Sequence, residues 1–228
     1  MLDTIFQLLE ELVYIGIFLV IFVCVGYVII GFYKAYRDNM GLDDFKESKG
    51  LAGEKEVEYE LSDLSKLRYK VIHDVYIPYN NSNKTAQCDH IIISKFGVFV
   101  IETKNYSGKI VGKVKDEKWK QILGKKTYEF YNPIMQNDTH INAVAQYLGI
   151  KKSSCISVVN FCSRCDITGV SKSKKVTNTK DLLDLIKSNR TIIFNNKQVN
   201  EMFKKLKDTP KNKQIVAKHK KYVKSKAK

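Results

Sequence analysis

The sequence has no Gly-rich phosphate loop, no Ser-His-Asp set and no H-x-x-x-H pair. It therefore lacks the backbone cradle of P-loop enzymes, the relay of serine hydrolases and the zinc grip of the zincins. No second cysteine pair stands at zinc-ribbon spacing from Cys162-Ser163-Arg164-Cys165, and Cys155 is no substitute. The lone C-x-x-C reads as reduced thiols at a strand end in a reducing compartment, with a metal or redox site as the other reading. No internal repeat is present, so solenoid architectures are out.

Acidic residues are scarce. There are 24 Asp and Glu against 39 Lys and Arg, a net charge of +15. This balance favours acidic partners, either nucleic acid or an anionic membrane surface. From residue 204 onward eleven lysines face one acid, Asp208, so that stretch carries +10 and leaves only +5 for the rest. Residues 209–228 read as a Lys-rich tail for nucleic acid or anionic lipid, or as a disordered solubilising end.

Charge is absent altogether from residues 12–32. As a helix those residues extend about 31 Å, enough to cross a hydrocarbon core. A signal peptide fits poorly, because Asp3, Glu10 and Glu11 replace the basic start and no small-x-small site follows. Gly26 and Gly31 are five apart, so there is no GxxxG seam. Lys34, Arg37, Lys46 and Lys49 follow the run and acids precede it. The reading is a short extracytoplasmic segment (1–11), a single span (12–33), a polar linker (34–49) and a cytoplasmic domain (50–208) at the cell membrane.

The soluble part, one domain of ordinary size, is organised around a hairpin. Gln87-Cys88-Asp89-His90-Ile91-Ile92-Ile93-Ser94 and Val98-Phe99-Val100-Ile101-Glu102-Thr103-Lys104 are both rich in Ile, Val and Phe, as half-buried strands are. Lys95-Phe96-Gly97 joins them, and Gly97 permits a tight reversal. If Ser94 opposes Gly97, opposed residue numbers sum to 191, and Asp89 faces Glu102. Lys104, two residues on, then shares the face of Glu102. An odd loop without a bulge would separate the two carboxylates.

Adjacent carboxylates repel, and burial adds to the cost. A hard divalent cation removes that penalty, since Mg²⁺ takes one or two carboxylates plus waters. It also activates bound water and stabilises charge at phosphorus, while a nearby ammonium positions the attacking water.

Asp89…Glu102-Thr103-Lys104 resembles the active site of the PD-(D/E)xK nuclease superfamily. The wider pattern resembles its nuclease-related domain family. The matching pieces are Gly50-x-x-Gly53-Glu54, Gln87-x-Asp89-His90-Ile91-Ile92-Ile93, Gly97 to Asn105, Trp119, and Asn132-Pro133-x-x-Gln136-Asn137-x-x-His140. They span residues 50 to about 150. Cys88 stands where that family is expected to carry an aliphatic residue. The resemblance implies an α/β restriction-endonuclease-like core, a mixed sheet flanked by helices. It implies Mg²⁺ or Mn²⁺ held by Asp89, Glu102 and the Thr103 carbonyl, with Lys104 positioning water. Glu54 then reads as a third carboxylate, or else as a solvated helix face. Gln136 then reads as a hydrogen-bonding contributor. Gln136 and His140 share a helix face, which leaves a zinc half-site open as another reading.

Three functions follow: a membrane-anchored, metal-dependent nuclease acting on DNA or RNA; a non-catalytic nucleic-acid or partner-binding module tethered to the membrane; or a scaffold whose tail binds anionic lipid at about 1 kcal/mol per lysine. The remaining elements read as a helix from Gly50 to about Lys66, a strand at 69–77 and a polar loop at 78–86. Short strands follow at 109–112 and within 118–130, then a helix at 133–148 and a strand at 155–161. A strand near 174–176 and helices at 179–187 and 198–207 complete the expectation.

Overall fold

The computed structural model describes residues 2–39, 42–79, 84–211 and 213–226. The side chains of Arg37 and Lys46, invoked above for orientation, lie outside the described residues, as do linker positions 40–41, loop positions 80–83 and tail positions 212 and 227–228. The chain divides into two compact units, residues 1–49 and 50–228. The first holds helix α1 (Leu2–Asn39). Its stretch Glu11–Tyr36 is long and apolar enough to cross a membrane, with mean hydropathy 2.9 and none of that window buried. Helix α2 spans Leu42–Leu61. It begins earlier than Gly50 and stops short of Lys66. The interior glycines cost only about 1 kcal/mol each.

In the second unit, strands β1 (Tyr69–Tyr79), β2 (Lys84–Ser94) and β3 (Gly97–Lys104) form an antiparallel meander. Strand β7 (Cys155–Phe161) adds parallel to β3, and β9 (Val176–Asn178) parallel to β7. Pro78 lies inside β1 rather than in a loop, which an edge strand tolerates. A second sheet, in the order β6-β5-β4-β8, holds β4 (Gly108–Gly112), β5 (Lys118–Leu123), β6 (Lys126–Tyr131) and β8 (Cys165–Val170).

Each face of the main sheet has its own core. Ile91, Ile93, Val98 and Val100 pack with Ile141 and Val144 of α3 (Pro133–Leu148) and with Val199, Met202 and Leu206 of α5 (Asn196–Lys207). Ile92, Phe99 and Ile101 pack on the other side with Val57 and Leu61 of α2 and with Leu182 and Ile186 of α4 (Leu182–Ser188). Each such burial is worth about 1.5–3 kcal/mol. Trp119, fully buried, stacks on Phe161 at an interplanar angle of 12° and ties the second sheet to β7.

Alternation breaks at one place. Cys88 and Ile91, three apart on β2, both enter the α3-side core, and so do Ile72 and Val75 on β1. The break on β1 is Asp74, with φ +50°. His73↔His90 and Val75↔Cys88 are partners, so Asp74 stands opposite Asp89. A left-handed non-glycine residue costs roughly 1–3 kcal/mol and clusters at functional sites.

The expected helix at 179–187 resolves into a 3-10 turn (Thr179–Asp181) followed by α4. The Lys-rich tail holds helix α6 (Lys213–Lys226), where a disordered end was one expectation.

Candidate active site

The turn has two residues, Lys95 and Phe96. Ser94 pairs with Gly97, Ile93 with Val98, and the ladder runs to His90↔Ile101. Gly97 has φ +133°, a conformation that favours glycine. The register is thus the one that brings Asp89 to Glu102. The backbone ladder ends just before them. The Asp89 side chain takes its place: the Thr103 N–H donates to Asp89 Oδ2 at 2.7 Å. In an extended strand the N–H and C=O of one residue point the same way, so the Thr103 carbonyl also faces the β2 side.

Glu102 is buried, 3% exposed. Its Oε1 lies 2.7 Å from Lys104 Nζ, and Lys104 Nζ donates onward to Gln136 Oε1 at 2.9 Å. Its Oε2 lies 3.2 Å from His140 Nδ1. That contact is off the hydrogen-bonding line, and both atoms lack a hydrogen-bond partner among the described residues. Burial pushes the Glu102 carboxyl up, but the Lys104 ammonium and His140 outweigh it and hold the pKa at about 2. Burial works against the Lys104 charge in turn, and Glu102 more than restores it. Asp89 is driven well above the usual carboxylate range, by burial first and then by the charge of Glu102. The Thr103 N–H only partly offsets this.

Glu54 reaches the same field from α2. Its carboxyl is raised by burial, then by Asp74 and Glu102. Gly53 lets α2 come this close, since a Cβ there would sit 2.5 Å from Asn105 Cβ. Of the expected site residues, Lys104, Glu102 and Gln136 are in direct contact, Asp89 is joined through Thr103, and Glu54 is within electrostatic range. A zinc half-site of Gln136 and His140 is not what the geometry offers, since Gln136 accepts from Lys104. Among the described residues no three His, Cys, Asp or Glu side chains stand in a metal-holding group.

The chain matches the nuclease-related domain family over residues 49–162. It belongs to that family. A relative of 38% identity over 182 residues, 78% of this chain and 85% of its own length, is an uncharacterized protein of Bacillus anthracis. No solved structure matches.

Several residues of the nuclease-related domain prove to be supports. Asn132 caps α3, accepting from the Ile134 N–H at 2.9 Å and donating to Val114 O and Asp116 O. Asn137 Nδ2 donates to Val100 O, Ser157 Oγ and Val158 O at 2.8, 3.0 and 3.2 Å. His90 points away from the carboxylates. Its Nδ1 lies 2.7 Å from His73 Nδ1, and burial, then His73, hold its pKa at about 3. The C-x-x-C closes the turn after β7, where the Cys162 N–H donates to Lys104 O at 3.1 Å.

Other participants were not anticipated. Asp74 accepts from Gln87 Nε2 at 2.9 Å on one oxygen and pairs with Lys211 Nζ at 2.6 Å on the other. Gln87 belongs to the family pattern; its partner Asp74 is marked by its φ of +50° in the structure and by nothing in the sequence.

Asp89→Asn is expected to stabilise the fold at neutral pH. A raised native pKa means the stability associated with Asp89 is fully present below its unfolded pKa and is lost as pH rises through the native one. The amide removes that loss and keeps an acceptor for Thr103. Unfolding followed by the single tryptophan, Trp119, should give a melting point about 2–4 °C above native at pH 7. The difference should vanish in acid.

Proposed function

We propose that this protein is a membrane-anchored, metal-dependent nuclease that hydrolyses phosphodiester bonds in DNA or RNA. The observation that carries the reading is a buried glutamate, Glu102, with one oxygen on Lys104 and the other facing His140 at 3.2 Å, beside a carboxylate burdened by its charge. Two carboxylates and a backbone carbonyl suit Mg²⁺ or Mn²⁺, which keep several waters. Asp89, Glu102 and the Thr103 carbonyl would hold the ion. When bound, it lowers the pKa of water and stabilises charge at phosphorus. Lys104, fixed between Glu102 and Gln136, orients the attacking water and places positive charge near the developing one. His140 steadies the second oxygen of Glu102. Glu54 closes the acidic rim.

Detergent-solubilised full chain with Mg²⁺ or Mn²⁺ and mixed DNA and RNA substrates tests this. Cleavage that is lost in Asp89→Asn supports it. Metal binding without cleavage would favour a binding module instead. One feature favours that second reading: the Lys104 ammonium itself offsets the charge of Glu102, at 2.7 Å.

The proposed orientation puts the N-terminus outside and the domain in the cytoplasm, from the basic flank after residue 33. Reporter fusions at the C-terminus should be active only as cytoplasmic reporters. Moving lysines ahead of residue 12 while removing Lys34 and Arg37 should weaken that bias.

A further inference from the structure

The C-terminal segment is docked against β1 and β2, from Asp74 in the middle of β1 to Tyr76 and Thr85 towards the end of the pair. Lys211 pairs with Asp74 at 2.6 Å. His219 Nδ1 lies 2.9 Å from Thr85 O and 3.1 Å from Thr85 Oγ1, and its ring meets Tyr76 edge-on at 5.5 Å. Ile215, Val216 and His219, spaced for one helix face, are half-buried, while Lys211, Lys213, Lys218 and Lys221 are exposed. The docked segment also feels the site. The charge of Lys211 acts on Glu54, and that of His140 acts on His219. His140 in turn faces Glu102.

We propose that α6 is a wall of the site itself: latched by His219 and by the Lys211–Asp74 pair, it presents its exposed lysines to the phosphate backbone of a nucleic acid lying across the Asp89–Glu102 carboxylates. This rests on reading the site as one that handles nucleic acid, and it names what holds the strand. A carboxylate cluster alone repels a polyanion. Residues 209–228 carry eight lysines and no acid, and they supply the missing complement. An anionic bilayer would satisfy the lysines equally, but it gives no account of their segment being fastened to the strands that carry Asp74 and Asp89.

The test uses full chain in neutral detergent with EDTA and fluorescent single- and double-stranded DNA and RNA oligonucleotides, titrated at several salt concentrations. Exchanging the exposed Lys213, Lys218 and Lys221 together for alanine leaves the Lys211–Asp74 latch in place and should reduce the slope of log affinity against log salt by about 2–3. His219→Ala keeps every lysine yet should weaken binding about tenfold at low salt, and His219→Gln, which can still bond Thr85, should restore most of it. Unchanged slopes overturn the proposal. So does weaker binding to phosphatidylserine vesicles with oligonucleotide binding intact, which assigns the lysines to lipid. So does tighter oligonucleotide binding after loss of the latch, which makes the segment an inhibitory strap. Lysine-dependent binding with no cleavage in Mg²⁺ or Mn²⁺ refutes the nuclease reading and leaves this proposal standing. Cleavage with binding and KM indifferent to the lysines does the reverse.

Discussion

Glu102→Ala should abolish metal binding and lower the stability of the domain by about 3–5 kcal/mol at pH 7, because it strands the Lys104 ammonium in a mostly buried site. The native pKa of about 2 sets the pH signature. A depressed carboxyl contributes stability above its unfolded pKa, near 4.3, and loses it as pH falls toward 2. The variant and the native protein should therefore converge in acid, between about pH 4 and 2, and differ most at neutral pH. Denaturant unfolding across that range, read from Trp119, measures the first effect; calorimetric titration with Mn²⁺ measures the second. A variant that binds Mn²⁺ normally would remove Glu102 from the ligand set.

Lys104→Ala should separate binding from chemistry. The ammonium is not a ligand, so Asp89, Glu102 and the Thr103 carbonyl remain for the ion. With Lys104 gone, Glu102 loses its main counter-charge, and a divalent cation gains a more strongly attracting carboxylate. Mn²⁺ affinity should stay level or rise. Cleavage should fall by about 10²–10³, the usual loss when one preorganised stabilising group is removed. Parallel calorimetry and cleavage assays decide the matter. Loss of both together would make Lys104 a structural prop for Glu102.

The heart of the fold was legible because its signals are local. Two runs of β-formers around Lys95-Phe96-Gly97 announce the hairpin, and of the registers they left open the one adopted, Ser94 with Gly97, brings Asp89 to Glu102. Asn132 and Pro133 mark the start of α3 for the same reason: capping chemistry acts within one turn. What escaped depends on distant partners. The opposition of Asp74 and Asp89 requires the β1–β2 register, and the polar loop between those strands does not encode it. Strand β8 pairs in parallel with β4 across an irregularity between Lys109 and Val111, so no hairpin rule announces it. In α6, the apolar spacing of Ile215, Val216 and His219 is present in the sequence, but the density of lysine around it reads as a solvated tail.

The three hydrogen bonds from Asn137 have a mechanical consequence. They rivet α3 to β3 through Val100 and to β7 through Ser157 and Val158, at the residue after Gln136 and three before His140. A helix fastened to two central strands cannot slide or roll. The groups it supplies to Lys104 and Glu102 form the fixed side of the candidate site. Under the proposed reading, accommodation of a bound strand would come from the side carrying Glu54 and from the C-terminal segment, held by a salt bridge and a single imidazole.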